Sequence, residues 1–237
     1  MIGVIDTFQY RSRMQPALLC ILPISLTIAV VFGVSKNGVS GVIAFATSLG
    51  VTYFISMMVR DRGRRLEPGL WTAWGGAPTT QLLRGQGDES AAVQRRRWAL
   101  MRNLLPDLES TFGEGPPNDD DIAIYVARLR ELTRNVDNYR LVMLENAAYG
   151  FRRNLYGLRP VGVLLTGIAV IIALVSVFVD HNQTVHVEVL VIVLFIDLVS
   201  LIIWIAVVSR RWVREQGFNY ARTLLSAAET IDSSTPT

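Results

Sequence analysis

The chain reads as an all-α, polytopic membrane protein in which two transmembrane hairpins (2+2) flank a helical cytoplasmic domain. Three observations predict this. Four apolar runs, 17–34, 39–59, 161–179 and 189–208, are each long enough to cross ~30 Å of hydrocarbon as a helix rising ~1.5 Å per residue. The turns Ser35–Gly38 and Asp180–Glu188 are too short for anything but antiparallel neighbours. Of the 23 basic residues one is Lys36; the 22 arginines all fall on one side of the runs when the amino terminus is inside. Arginines beside helix ends fix orientation most strongly, so both termini are predicted to be cytoplasmic. The expected organisation is an arm and first hairpin (1–59), a cytoplasmic helical domain (60–159), a second hairpin (160–208) and a tail (209–237).

Composition agrees with this class. The chain is 51% hydrophobic with a positive mean hydropathy, suited to a membrane protein with one modest polar domain. Its net charge of +3 conceals a cytoplasmic balance of 22 arginines against 17 acids, because Asp180, Glu188 and Asp197 lie elsewhere. Basic clusters beside helix ends suit anionic headgroups, and their spacing already has a topological explanation, so nucleic acid is not an expected partner. One lysine among 23 basic residues points to a GC-rich genome and hence to a bacterial inner membrane. Cys20 is the sole cysteine, which excludes an intrachain disulfide. No small-x-small cleavage site follows Val34, so the first run is read as retained rather than removed as a signal.

Along the chain, Pro23 is expected to bend the first helix, and Ser25, Ala29 and Gly33, with Ala46 and Gly50, give the small-residue spacing of close helix packing. The segment Leu66–Gly85, with Trp71 and Trp74, reads as irregular backbone at the membrane surface, with a short helix after Pro78. A helix over Asp88–Leu105 is capped by Asp88 or Ser90, carries Val93, Leu100, Met101, Leu104 and Leu105 on one stripe, and stops at Pro106. Beyond the Gly113–Asn118 linker, Asn118 caps a helix predicted over Asp119–Asn146, and Asp119, Asp120 and Asp121 complement its dipole. Ile122, Tyr125, Leu129, Leu132, Val136, Tyr139 and Met143 step along it by threes and fours, a coiled-coil-grade seam. That seam is buried either against the preceding helix or against a partner. Ser233–Thr237 reads as a disordered polar end.

The expected headgroup anchors are Arg60, Arg62, Arg64, Arg65, Trp71, Trp74, Arg152, Arg153, Arg159, Arg210 and Arg211. Within the bilayer the exceptional residue is Asp197, near the middle of the fourth run. A carboxyl at that depth costs ~2.5–3.5 kcal/mol on insertion scales and must face protein or water. Ser200 and Trp204 share its face, and counting from the outer ends puts it level with Ser25, Thr47 and Ser48. Ser48, Thr52 and Ser56 add a hydroxyl stripe. In a homo-oligomer these groups would line a cation-favouring pore; within one subunit Asp197 would bond a hydroxyl and act as packing glue. His181 and His186 match no strong metal pattern, and no nucleophile elbow, HExxH, Walker lysine loop or Rossmann glycine pattern occurs. Neither catalysis nor a cofactor is expected.

Two hairpins around a helical insert resemble the four-helix membrane effectors of bacterial conflict (anti-phage) systems and, more loosely, bestrophin-type channels. The likeness is one of topology over the whole chain. It implies permeabilisation of the membrane on a cytoplasmic trigger, a protein or a nucleotide; the bestrophin calcium clasp has no counterpart here. The leading expectation is therefore an oligomeric pore or permeabilising effector. The alternatives are a scaffold presenting the Ile122–Met143 helix and a small proton-coupled exporter.

Overall fold

The computed structural model describes residues 12, 14–33, 50, 61–87, 89–105, 117–179 and 187–234. Apart from residue 50, the run 39–59 with Ser48, Thr52 and Ser56, together with Arg60, Lys36, Asp88, His181, His186 and residues 113–116 of the linker, lies outside the described residues. Among the described residues the chain is all-helical, with no strand. The elements are α1 (Gln15–Gly33), α2 (described over 61–74), α3 (Pro78–Leu83), α4 (Ala91–Leu104), α5 (Asp119–Leu132), α6 (Arg140–Val179), α7 (Val187–Ile202, continued by a π-helical turn Ile203–Val207) and α8 (Arg210–Ser234). They divide into two compact units. Of the described residues, 67–149 and 214–234 form the helical unit, and 12–66 and 150–213 form the apolar unit.

In the apolar unit, α7 is long and apolar enough to cross a membrane, and so is α6, whose apolar part lies in this unit. α1 is apolar but shorter. α7 buries Leu190, Val193, Asp197 and Trp204, steps of three, four and seven that place them on one stripe. Its other faces leave large apolar side chains bare, with Phe195 66% and Ile202 62% exposed. α6 does the same, with Phe178 71% and Leu164 62% exposed, while Thr166, Ala169 and Ala173 are fully buried. Exposed apolar surface on this scale suits a lipid environment. α1 packs against α7. Ala17, Cys20, Leu155, Leu158, Trp204 and Val208 form one core cluster.

The helical unit is built differently. Where irregular backbone is expected from residue 66, α2 runs to Trp74 and ends in a Schellman cap: Gly76 N donates to Trp71 O (2.8 Å) and Gly75 N to Thr72 O (3.3 Å). Gly75 (+86°) and Gly76 (+131°) both have positive φ, which side chains disfavour. Gln81 then ties this turn down, its amide donating to Trp74 O and Gly76 O. α3 follows Pro78 as expected and packs on α4 and α5. Ser90, not Asp88, is the α4 cap, accepting from Val93 N. Val93 itself is 42% exposed, so it leaves the expected stripe; Leu100 and Met101 keep it, and Arg97 is buried with them.

Asn118 caps α5 as read, accepting from Asp121 N at 2.9 Å. The helix is shorter than expected, however. It stops at Leu132, and residues 133–139 form a turn in which Thr133 Oγ1 donates to Leu129 O and Asn135 Oδ1 accepts from Asp137 N, local bonds that compete with helix continuation. Ile122, Tyr125 and Leu129 are buried in their own unit; Leu132, Val136, Tyr139 and Met143 are half-buried and lie on the end of α5, the turn and the start of α6. A continuous 119–146 seam is therefore absent. The expected tail is also a helix: α8 buries Leu224, Leu225, Ala228 and Ile231 in this unit.

Candidate functional site

Asp197 is fully buried in the apolar unit, as expected of a carboxyl in so apolar a helix. Its partner is Thr27 of α1, whose Oγ1 donates to Oδ2 at 2.6 Å. The same Thr27 hydroxyl lies 3.1 Å from Pro23 O. The single hydroxyl hydrogen serves one of these two acceptors or is shared between them. Asp197 Oδ1 and the buried Thr166 Oγ1 have no hydrogen-bond partner among the described residues.

Of the described residues expected beside Asp197, Ser25 and Ser200 are placed elsewhere. Ser25, the level expected from counting, is half-buried two residues before Thr27. Ser200 turns back on its own helix, donating to Ile196 O at 2.8 Å, and so supplies no hydroxyl to the carboxyl. Trp204 does share the buried face.

One helical turn further, the end of α7 is closed by a feature the sequence reading missed. Val208 N donates to Ile203 O at 3.1 Å, the five-residue spacing of a π turn. The carbonyls left over at such an end need donors. Arg159 of α6 supplies them, through Nε to Trp204 O (3.1 Å) and a terminal nitrogen to Ile205 O (3.0 Å). A cation there also suits the negative end of the helix dipole. The helices meet closely because Gly162 has no side chain: a Cβ there would stand 2.4 Å from Trp204 Cε2.

Neighbouring arginines that the sequence suggested as anchors are likewise held by protein. Arg152 lies 4.8 Å from the Trp212 ring centre and donates to Trp212 O at 3.0 Å. Arg210 Nε donates to Tyr156 Oη at 3.0 Å, which raises the arginine above its ordinary pKa. Gly63 of α2 abuts Asn154, whose amide donates to Ser12 O at 2.6 Å. Arg62, Arg64 and Arg65 are exposed; Trp71 and Trp74, in the helical unit, are half-buried.

The helical unit holds charge pairs. Glu89 accepts from both terminal nitrogens of the buried Arg97 and lies 3.5 Å from Arg222 Nε; Arg84 pairs with Asp119. Tyr149 Oη donates to Glu67 Oε1 at 2.9 Å and its ring stacks on Tyr220. Burial pushes the Tyr220 phenol above its ordinary value, with Arg130 opposing. No group of three metal-ligating side chains occurs among the described residues.

Comparison with protein-family models, curated proteins and solved structures finds no match to this chain.

Proposed function

We propose that this is a multi-pass membrane scaffold: an inner-membrane protein with both termini cytoplasmic, whose two hairpins hold the helical unit at the bilayer for a partner protein. The apolar faces of α6 and α7 support membrane insertion, and the arginine distribution supports the orientation. The observation that carries the scaffold reading is the contact of Asp197 with Thr27. A pore carboxylate needs water and an axis; this one is fully buried within its own chain and serves as packing glue. The partner surface is not the Ile122–Tyr125–Leu129 face, which is buried; Ile124, 48% exposed, is on the free side of α5.

A second reading, the oligomeric pore or permeabilising effector implied by the topological resemblance, is favoured by two buried polar atoms of the apolar helices that have no partner among the described residues, Asp197 Oδ1 and Thr166 Oγ1. Ion flux into proteoliposomes separates the readings. The scaffold predicts background flux for the wild type and for Asp197→Asn, and a stability loss of about 0.6–2 kcal/mol for Thr27→Val. Wild-type flux above background that disappears in Asp197→Asn replaces the scaffold with the pore.

A further inference from the structure

The described arginines of the apolar unit are gathered at one end of the apolar helices, and the bonds between elements establish this. Arg159 reaches the last carbonyls of α7, Arg210 reaches Tyr156 of α6, and Gly63 of α2 lies against Asn154. Three chain segments, 61–66, 150–160 and 208–213, therefore converge there. Together they contain eight arginines and a single acid, Asp61.

Several of these side chains are fixed by neutral groups. Arg152 is bound to a carbonyl and an indole ring, and Arg210 to a phenol through Nε alone. The terminal nitrogens of Arg210 have no hydrogen-bond partner among the described residues, and its side chain is exposed. A guanidinium held by Nε presents its remaining N–H groups as a fork that matches two phosphate oxygens. Exposed Arg62, Arg64 and Arg65 add charge at the same level. Directly beside the cluster, the end of α7 exposes Ile202 (62%), Ile205 (54%) and Val207 (45%).

We propose that this junction is a binding site for an anionic phospholipid: the arginines take the phosphodiester, and the bare isoleucine and valine side chains take the first part of an acyl chain. The apolar surface continuous with the cluster is what selects a lipid over a free phosphate. The inference rests on the membrane reading above.

The test uses the full-length protein, solubilised and delipidated in detergent, exposed to equimolar phosphatidylglycerol and phosphatidylcholine with identical acyl chains. Native mass spectrometry reads the ratio of bound lipids. Phosphatidylglycerol is expected to exceed phosphatidylcholine at least tenfold. Arg210→Gln and Arg65→Gln each lower that ratio about fivefold, the effect of one arginine near an anionic surface. Tyr156→Phe, which keeps the ring and releases Arg210, lowers it less; Arg102→Gln, in the helical unit, leaves it unchanged. Excess glycerol 3-phosphate does not displace the lipid. Equal binding of the two lipids, an Arg210→Gln ratio equal to wild type, or displacement by glycerol 3-phosphate overturns the proposal while leaving membrane insertion intact. Recovery of the wild-type protein in the detergent-free soluble fraction overturns both.

Discussion

Arg84, Arg97 and Arg222 in the helical unit meet carboxylates, whereas Arg152, Arg159 and Arg210 in the apolar unit meet carbonyl oxygens and a phenol. Pairing with Glu89 or Asp119 cancels charge and leaves a surface compatible with water. Bonding to Trp204 O or Tyr156 Oη satisfies the backbone or a ring hydroxyl and keeps the positive charge at the end of the apolar helices, where anionic headgroups would meet it. The same contrast extends to packing. The helical unit is filled by large side chains, Leu82, Leu100, Tyr125 and Leu129, and the apolar unit brings helix backbones together through Gly162.

Leu129→Ala tests the contrast hardest. Leu129 is fully buried, and its truncation is expected to cost about 2–5 kcal/mol, with hydrogen exchange rising across 78–132 and not across 150–179. Equal deprotection of both ranges would show that the two units are not separate in stability. Gly162→Ala comes next: the added methyl overlaps the indole, so a loss of about 1–3 kcal/mol is expected, read as a lower melting temperature in detergent with altered tryptophan emission. An unchanged melting temperature would mean that backbone proximity is not what joins α6 to α7. The smallest effect concerns Tyr220. Its folded-state pKa is raised above the ordinary 10.0, so its contribution is complete below pH about 10 and is lost as pH rises from there through the folded value. Thermal melts between pH 9 and 11.5 should therefore fall more steeply for wild type than for Tyr220→Phe.

Much of this architecture is legible in the residues, and the failures have definite causes. Ser90 and Asn118 announce their helices because a short polar side chain before a periodic run has few other uses. Asp197 announces its own burial. Its partner is misplaced by two residues, since counting took the outer ends of the helices as level, and an offset of ~3 Å is enough to exchange Ser25 for Thr27. The break after Leu132 is hidden for a subtler reason: the turn 133–139 is seven residues long, one heptad, so the apolar period resumes in phase on its far side. Asn135, Asp137 and Asn138 were the available warning. In α2, Trp, Gly and Pro read as punctuation, and only the paired glycines marked an ending. Arg159 is recognisable as a basic residue flanking an apolar run; that it closes another helix is tertiary information.

Gly75 and Gly162 together separate two reasons for a position to refuse substitution. A Cβ at Gly162 has no space, while at Gly75 it has nothing within 4 Å and the obstacle is handedness alone, with φ at +86°. A mutational scan would find Gly75 intolerant though it is exposed, an apparent hot spot on the surface that marks no ligand. The mirror-image amino acid tells the difference: chemical ligation of a chain carrying D-alanine at 75 would preserve the turn that L-alanine distorts.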